Sequence, residues 1–256
     1  MDNKKMMHIG IKKGEVGKYV FLPGSPERTE KIAKYFDNAK EIAFNREYRT
    51  FIGTLDGELV AVTSTGIGGP SAAIAIEELS AIGVDTMIRI GTCASMSPKV
   101  KKGDIVVPSG AVKMEGTSSH YLPVEFPAVP NFEILKILTN SLDSQKIKYH
   151  TDVSITKDSF YSQTNPERSP VSNTLIRKWD EYIRGGATTT SMECSILFAV
   201  GAALGIRTAS MLVSATNAKS FEGQEPGDSY DLEDYVIRAG IEGMRQIIKS
   251  DKNSKF

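Results

Sequence analysis

Residues 19–28 read YVFLPGSPER, and they pass from a β-rich run through a glycine turn into a helix. Tyr19–Leu22 predicts a short strand. A helix is predicted from Pro26 to Phe36, with Ser25 as its N-cap and Pro26 at its first position. The same order of strand, glycine turn and helix returns at residues 59–82. This alternation predicts an α/β fold, a single domain over residues 1–256 with a central mixed, mostly parallel β-sheet flanked by helices.

Shorter patterns complete the predicted fold. Apolar and β-branched runs predict strands at residues 59–65, 86–90, 104–108, 153–156 and 208–214, and apolar periodicity predicts helices at 71–82, 192–204 and 232–248. Residues 249–256 are expected to fray. Because ligands of such sheets bind outside the carboxyl ends of the strands, a site is expected at the turns that follow them.

The chain carries no net charge, since 31 Lys and Arg balance 31 Asp and Glu. Binding of nucleic acid or of an anionic membrane through the general surface needs a basic excess, so neither partner is expected and any anion must be held locally. Two cysteines allow no disulfide framework and no signal peptide is recognised, so a cytoplasmic location is expected. The apolar run at 196–206 is too short to span a bilayer, and the three histidines show no metal-ligand spacing.

The turn at Gly24 has the features of an anion site. Gly24 lets the backbone approach a ligand closely, and the amides behind it open a helix whose N-terminus favours an anion. Arg28 falls in the first turn of that helix, where the dipole disfavours a cation. An arginine there is explained by a negative ligand, although an ordinary surface arginine after a capped turn is the alternative.

A second arginine, Arg89, lies inside an apolar strand between Ile88 and Ile90. A lone buried guanidinium is costly unless it is paired. It either forms a salt bridge with a structural carboxylate or completes an anion site near the end of the strand, together with Gly91 and Thr92.

The glycine loop at residues 64–71, STGIGGPS, resembles a dinucleotide-binding loop only weakly, because its spacing is wrong and a proline follows. A tight turn that packs a helix onto the sheet explains it as well. A further candidate is Glu193, at the head of an apolar helix. It either stabilises the helix dipole or points into a pocket, where a carboxylate could bind two sugar hydroxyls.

Together these motifs resemble the nucleoside phosphorylase superfamily, and within it most closely the uridine phosphorylases of bacterial type. The resemblance extends from His8 to about Ser195. The segments that carry it are MHIG (7–10), PGSPER (23–28), NREY (45–48), STGIGGPS (64–71), RIGT (89–92), EFPAV (125–129) and ME (192–193).

The resemblance implies a reversible phosphorolysis in pyrimidine nucleoside salvage: uridine and phosphate, the co-substrate, give uracil and ribose 1-phosphate without a cofactor. It implies Arg89, Thr92 and Glu193 as catalytic residues. The phosphate-binding residues it implies are Gly24, Arg28, Arg89, Thr92 and, from a neighbouring subunit, Arg46. The ribose-binding residues are Met192, Glu193 and His8, which also crosses from the neighbour.

Assembly follows from the same resemblance. Because His8 and Arg46 act in a neighbour's pocket, it implies a homo-oligomer built on dimers, with a hexamer as the family's form. Glu47, Ile67 and Ser71 match positions at which some members bind a monovalent cation, such as K+, between subunits.

On the base side, the resemblance implies that Phe160 stacks on the base and that Gln163 and Arg168 hydrogen-bond to it. The spacing to Arg168 is longer than in the family, and Lys157 is a substitute cation. Three further departures are Ser25 for an aspartate, Ser191 for a glutamate, and Ala218 for an arginine, with Lys219 the nearest cation. Residues 214–218, SATNA, lack the aspartate that purine-cleaving relatives use, which favours a pyrimidine.

Three alternatives remain at this point. The first is a purine or broad-specificity nucleoside phosphorylase. The second is a hydrolytic nucleosidase of the same fold, which would not need the arginines. The third is a catalytically degraded protein that binds nucleosides. Cys194 is expected to be a small core residue rather than a reactive thiol.

Overall fold

A computed structural model describes residues 4–217 and 230–253, without the side chains at positions 163, 164, 217, 230 and 231. The strands are β1 (Tyr19–Leu22), β2 (Asp37–Asn45), β3 (Tyr48–Leu55), β4 (Glu58–Thr63), β5 (Thr86–Ser95), β6 (Ile105–Val106), β7 (Gly110–Met114), β8 (Tyr149–His150), β9 (Val153–Lys157), β10 (Ala187–Ser191) and β11 (Arg207–Asn217). The α-helices are α1 (Pro26–Ala33), α2 (Gly69–Ala81), α3 (Phe132–Ser144), α4 (Phe160–Thr164), α5 (Ser172–Arg184), α6 (Cys194–Leu204) and α7 (Tyr230–Asn253).

The strands form one mixed sheet, in agreement with the predicted fold class. Its main path runs β2-β3-β4-β1-β5-β10-β9-β7, and β11 pairs with β5 in parallel and carries β6 and β8 beyond it. The pairs β4–β1, β1–β5 and β5–β11 are parallel, whereas β2–β3, β3–β4, β6–β11 and the short β5–β10 contact are antiparallel. Helices cover both faces of this sheet.

Alternating side chains of the inner strands produce the two layers of the core. Val20 and Leu22 of β1 pack on one face with residues of α2 and α6. Tyr19 and Phe21 pack on the other face with residues of α1, α3 and α7. Because β1 is buried on both faces, it reads as a continuous apolar run, as expected for an inner parallel strand.

Several predicted boundaries were wrong. The strand predicted at residues 86–90 continues to Ser95, so Arg89 lies in the middle of β5 rather than near its end. The extension arises because β11 pairs along the whole of β5 and β10 adds a second partner at Ser95. The helix predicted to end at Ile248 continues to Asn253, since Asp251 in its last turns binds both Arg207 and Tyr19.

The helix predicted from Pro26 to Phe36 ends at Ala33, and the one predicted from Met192 begins at Cys194. Ser25 does cap α1, because its hydroxyl accepts a hydrogen bond from the Glu27 amide. The hairpin β2–β3 was not predicted, because most of β2 is exposed and its sequence DNAKEIAFN has no clear apolar alternation. Among the described helices, none is long and apolar enough to cross a membrane.

Candidate active site

The carboxyl ends of β4 and β1 lie side by side, next to the middle of β5. Leu22 at the end of β1 is in register with Arg89 of β5. Beyond the strands, the amide of Thr65 donates to the carbonyl of Pro23 at 2.9 Å, and the amide of Gly66 donates to that of Gly24 at 3.0 Å. The glycine turn after β1 is therefore fixed beside the Arg89 side chain.

Two glycines leave space around the Arg89 guanidinium. A Cβ atom on Gly24 would lie 3.2 Å from the Gly66 carbonyl oxygen and 3.9 Å from Nη1 of Arg89. A Cβ atom on Gly91 would lie 3.0 Å from Nη2 of Arg89, which is closer than side chains normally tolerate. Residues larger than glycine at either position would crowd the guanidinium.

Arg89 forms a buried salt bridge with Glu193. Its Nη2 lies 2.5 Å from Oε2 of Glu193, and both side chains are less than a tenth exposed. Glu193 also accepts a hydrogen bond at 2.8 Å from the amide of Gly68, in the glycine loop. Arg89 therefore forms the salt bridge that the sequence offered as one explanation for its burial. The partner is Glu193, the residue that the sequence proposes for binding the sugar.

Within the described residues, two other nitrogens of the Arg89 side chain lack partners. Nε and Nη1 are buried, and neither has a hydrogen-bond partner in the part of the chain that the structure describes. A buried donor left unsatisfied costs about 1–3 kcal/mol, and more when it is charged. These two donors lie beside the Gly24 turn and the N-terminus of α1, so they suit an anion such as phosphate.

Arg28 is also buried, in the first turn of α1. Its Nη2 lies 2.5 Å from Oε1 of Glu233 on α7, whose other oxygen binds Lys31 at 2.8 Å. Burial alone would raise the pKa of Glu233, but the hydrogen bonds from Arg28 and Lys31 lower it. The negative group that the structure places opposite Arg28 is therefore a carboxylate of the chain itself. Nε of Arg28 remains buried without a partner among the described atoms.

Glu233 was missed from the sequence because it lies 205 positions from Arg28, on a helix with no motif that marks it. Thr92, another predicted phosphate ligand, is half-buried in β5 and in register with Val213 of β11. The structure thus places Gly24, Arg28, Arg89 and Thr92 on three neighbouring parts of the fold, the turn after β1, helix α1 and strand β5.

The predicted subunit-crossing residues lie together at another edge of the fold. Arg46 is exposed at the tip of the β2–β3 hairpin, with a φ angle of 54°. Next to it, Asn45 donates to the backbone carbonyl of His8 at 2.8 Å. His8 Nδ1 lies 2.7 Å from Glu78 of α2, which also accepts the amide protons of His8 and Ile9. Glu78 was not predicted, although a glutamate on the apolar side of a mostly apolar helix was a signal that could have found it.

Of the predicted cation ligands, Glu47 and Ser71 touch. The Ser71 hydroxyl lies 2.7 Å from Oε1 of Glu47 and also bonds to the carbonyl of Thr65. The hydrogen bond from Ser71 lowers the pKa of Glu47, so its carboxylate is ionised at neutral pH. The Ile67 side chain is 78% exposed. Within the described ranges, no cluster of His, Cys, Asp and Glu forms a metal site.

The base side of the site begins where β9 leads into α4. Phe160 is the first residue of α4, capped by Ser159, and its ring is 40% exposed. The ring lies 5.0 Å from Nζ of Lys157. Arg168 is exposed on a 3-10 turn after α4. The side chain of Gln163 and the residues Ala218 and Lys219 lie outside the described part of the chain.

Two of the predicted ribose-binding residues, Met192 and Glu193, are adjacent in the chain, and hydrogen bonds hold this segment in place. The half-buried Met192 donates its amide to the Glu193 carboxylate at 3.3 Å. Ser195, in the first turn of α6, donates its hydroxyl to Glu115 at 2.9 Å and its amide to Thr156 at the same distance. Glu115 was not singled out from the sequence. Cys194 is fully buried, and burial raises the pKa of its thiol, as expected of a core residue.

The α/β fold and the buried Arg89–Glu193 cluster occur in a chain that matches a known protein family. A model of the phosphorylase superfamily matches residues 18–248, so the chain belongs to that superfamily. The resemblance drawn from the sequence is thereby confirmed.

Three related phosphorylases are similar to this chain over most of its length. The uridine phosphorylase of Treponema pallidum is 40% identical over 95% of both chains. The uridine phosphorylase of Escherichia coli is 32% identical over 97% of this chain and all of its own. A guanosine phosphorylase of Halorubrum lacusprofundi is 36% identical over 79% of this chain and 80% of its own. Membership of the superfamily therefore does not specify which nucleobase is released, and the residues of the site must determine it.

Proposed function

We propose that the chain is a pentosyltransferase that catalyses the reversible phosphorolysis of uridine to uracil and ribose 1-phosphate. The observation that carries this proposal is the Arg89–Glu193 pair. Its buried guanidinium keeps two donors for an anion, and its carboxylate borders the residues assigned to the sugar. Uridine phosphorylases at 40% and 32% identity over nearly the whole chain support the choice of substrate.

The proposed mechanism places phosphate beneath the anomeric carbon. Gly24, Arg28, Arg89 and Thr92 hold it, and its position at the amino end of α1 adds the helix dipole. Fixing the nucleophile in this way can supply about 7–11 kcal/mol of the barrier. The phosphate charge also stabilises the positive charge that develops on the sugar. Inorganic phosphate is the second substrate, and the reaction needs no cofactor.

Glu193 accepts hydrogen bonds from the 2′ and 3′ hydroxyls of the ribose, and Met192 packs against the sugar. Phe160 stacks on the base, and Gln163 and Arg168 contact its polar edge. An amide is both donor and acceptor, so Gln163 can bind a carbonyl and the adjacent ring N–H of uracil.

Uracil release from uridine tests the proposal. We expect the purified protein to release uracil only when phosphate is present, and to form ribose 1-phosphate in equal amount. The assay follows both products by chromatography, with inosine and guanosine as parallel substrates. Release without phosphate would indicate a hydrolase, and exclusive use of inosine or guanosine would indicate the alternative that the Halorubrum relative supports. Binding of uracil without turnover would indicate a degraded homologue.

A homo-oligomer built on dimers, with a hexamer as its full form, completes the proposed site. His8 is hydrogen-bonded to Asn45, the residue next to Arg46, and in the proposed assembly His8 and Arg46 would reach a neighbouring pocket across the subunit interface. Glu47 and Ser71, with the backbone at Ile67, would hold K+ at the same interface, since carboxylate and hydroxyl oxygens suit such a cation.

We expect native mass spectrometry to report hexamers in a potassium buffer. Arg46→Ala should lower activity at least tenfold by raising the KM for phosphate while the hexamer persists. A monomer with full activity would contradict the shared site.

We further propose that the enzyme acts in the cytoplasm, in pyrimidine salvage. Both cysteines, Cys93 and Cys194, are free and buried, as suits a reducing compartment.

A further inference from the structure

Lys157 is a buried lysine at the end of β9. Its side chain is 3% exposed, and the strand is paired on both sides, with β7 at Met114 and with β10 through the neighbouring pair Thr156 and Ser191. Removing an ammonium group from water costs several kcal/mol unless other groups compensate. A lysine in this position therefore requires an explanation in terms of charge.

Among the residues that the structure describes, Lys157 has no dedicated ion pair. Glu193 is the carboxylate whose charge acts on the ammonium, but its Oε2 is bound to Arg89 at 2.5 Å. Two other carboxylates come from adjoining segments and are engaged elsewhere. Glu115, after β7, accepts the Ser195 hydroxyl, and Asp158 accepts the amide of Gly116.

On its other side, the ammonium faces an aromatic ring. Nζ lies 5.0 Å from the centroid of Phe160, within the range of a cation–π contact. Phe160 is the ring proposed to stack on the base, and Glu193 is the carboxylate proposed to bind the ribose. Lys157 thus lies where the base and the sugar would join.

We propose that Lys157 is a further catalytic residue, whose ammonium donates a hydrogen bond to the O2 carbonyl of the leaving pyrimidine. This inference rests on the proposed phosphorolysis of uridine. In that reaction a phosphate oxygen bonds to C1′ and the C1′–N1 bond breaks. The bonding electron pair passes to the base, where N1 and O2 share it. The proton lost by the attacking phosphate returns through solvent to the base, and the lysine keeps its own.

A fixed cation at O2 stabilises the charge that develops there. Burial lowers the pKa of Lys157 to about 8, and Glu193 opposes that shift. The ammonium is therefore charged at neutral pH and loses its proton as the pH rises through about 8. The contribution to the rate should be present below that pH and lost above it.

The test compares Lys157→Met and Lys157→Arg with wild type, using uridine and 5-fluorouridine at saturating phosphate between pH 6 and pH 10. Lys136→Met, at an exposed lysine of α3, is the matched control. We expect Lys157→Met to lower kcat for uridine by about 10²-fold. The loss should be smaller for 5-fluorouridine, because fluorine already stabilises the departing anion. Lys157→Arg should keep more activity and move the alkaline fall in rate to higher pH.

Folding is checked by the midpoint of thermal unfolding. Methionine fills a similar volume without a charge, so Lys157→Met should unfold at the same temperature or higher. Equal losses for both nucleosides, or an unchanged alkaline limb in Lys157→Arg, would overturn the role of Lys157. Failure of the wild-type protein to cleave either nucleoside would instead overturn the proposed function, so the two failures are distinguishable.

Discussion

Arg89→Ala should lower kcat/KM for uridine phosphorolysis at least about 10³-fold, or about 4 kcal/mol of transition-state stabilisation. The substitution removes Nε and Nη1, the two buried donors that lack partners among the described residues. It also removes the group that fixes Glu193, since Nη2 lies 2.5 Å from that carboxylate. Steady-state kinetics with uridine and phosphate varied independently measure the loss.

Stability must be separated from activity in this variant. Arg89→Ala leaves the Glu193 carboxylate buried without its counter-charge, which costs about 3–5 kcal/mol. The double variant Arg89→Ala with Glu193→Gln removes that lone charge and should recover most of the free energy of unfolding, yet remain inactive. Arg177→Ala, in an exposed pair with Glu181 on α5, is the matched control and should retain full activity. A fully active Arg89→Ala protein would remove Arg89 from the site.

Glu193→Gln should lower kcat/KM for uridine about 10²- to 10³-fold. The amide oxygen can still accept the Gly68 amide at the position now 2.8 Å away, so the glycine loop should keep its place. Because its single oxygen already accepts the Gly68 amide, the glutamine cannot also accept two hydroxyl protons, and it no longer balances the charge of Arg89. The loss should therefore appear in binding and orientation of the ribose.

Substrate truncation isolates that role. With 2′-deoxyuridine, which lacks one of the two hydroxyls, the effect of Glu193→Gln should be several-fold smaller than with uridine, because one contact is already missing. Glu181→Gln, on the exposed face of α5, serves as the control and should leave both rates unchanged. Equal losses for the two nucleosides would show that Glu193 acts only by holding Arg89.

Local patterns were enough to predict the fold class. The run YVFL (19–22), buried on both faces, and the capped turn at Ser25 have the predicted form because their causes lie within a few residues. Boundaries were less predictable. The extension of β5 to Ser95 depends on β10 and β11, which lie about a hundred positions away along the chain. The exposed strand β2 is held by its neighbour β3 rather than by an apolar pattern of its own.

The residues of the candidate site likewise include some that the sequence predicted and some that it did not. The sequence by itself determined which residues carry charge in unusual places: Arg28 in the first turn of a helix, Arg89 inside an apolar strand and Glu193 at the head of an apolar helix. The two arginines were detectable because a charge conflicts with its local surroundings, and Glu193 because it precedes an apolar run that is expected to be buried. Their partners were not detectable, because the salt bridges join positions that only the folded sheet brings together.

Tertiary structure alone decided how those charges are satisfied. It pairs Arg89 with Glu193, Arg28 with Glu233 and His8 with Glu78, and it buries Lys157 beside Phe160. The physical reason is that burial and charge pairing act through space, in a medium where a buried charge must find a partner. The sequence supplies the charged groups, and the packing of the helices against the sheet determines which of them meet.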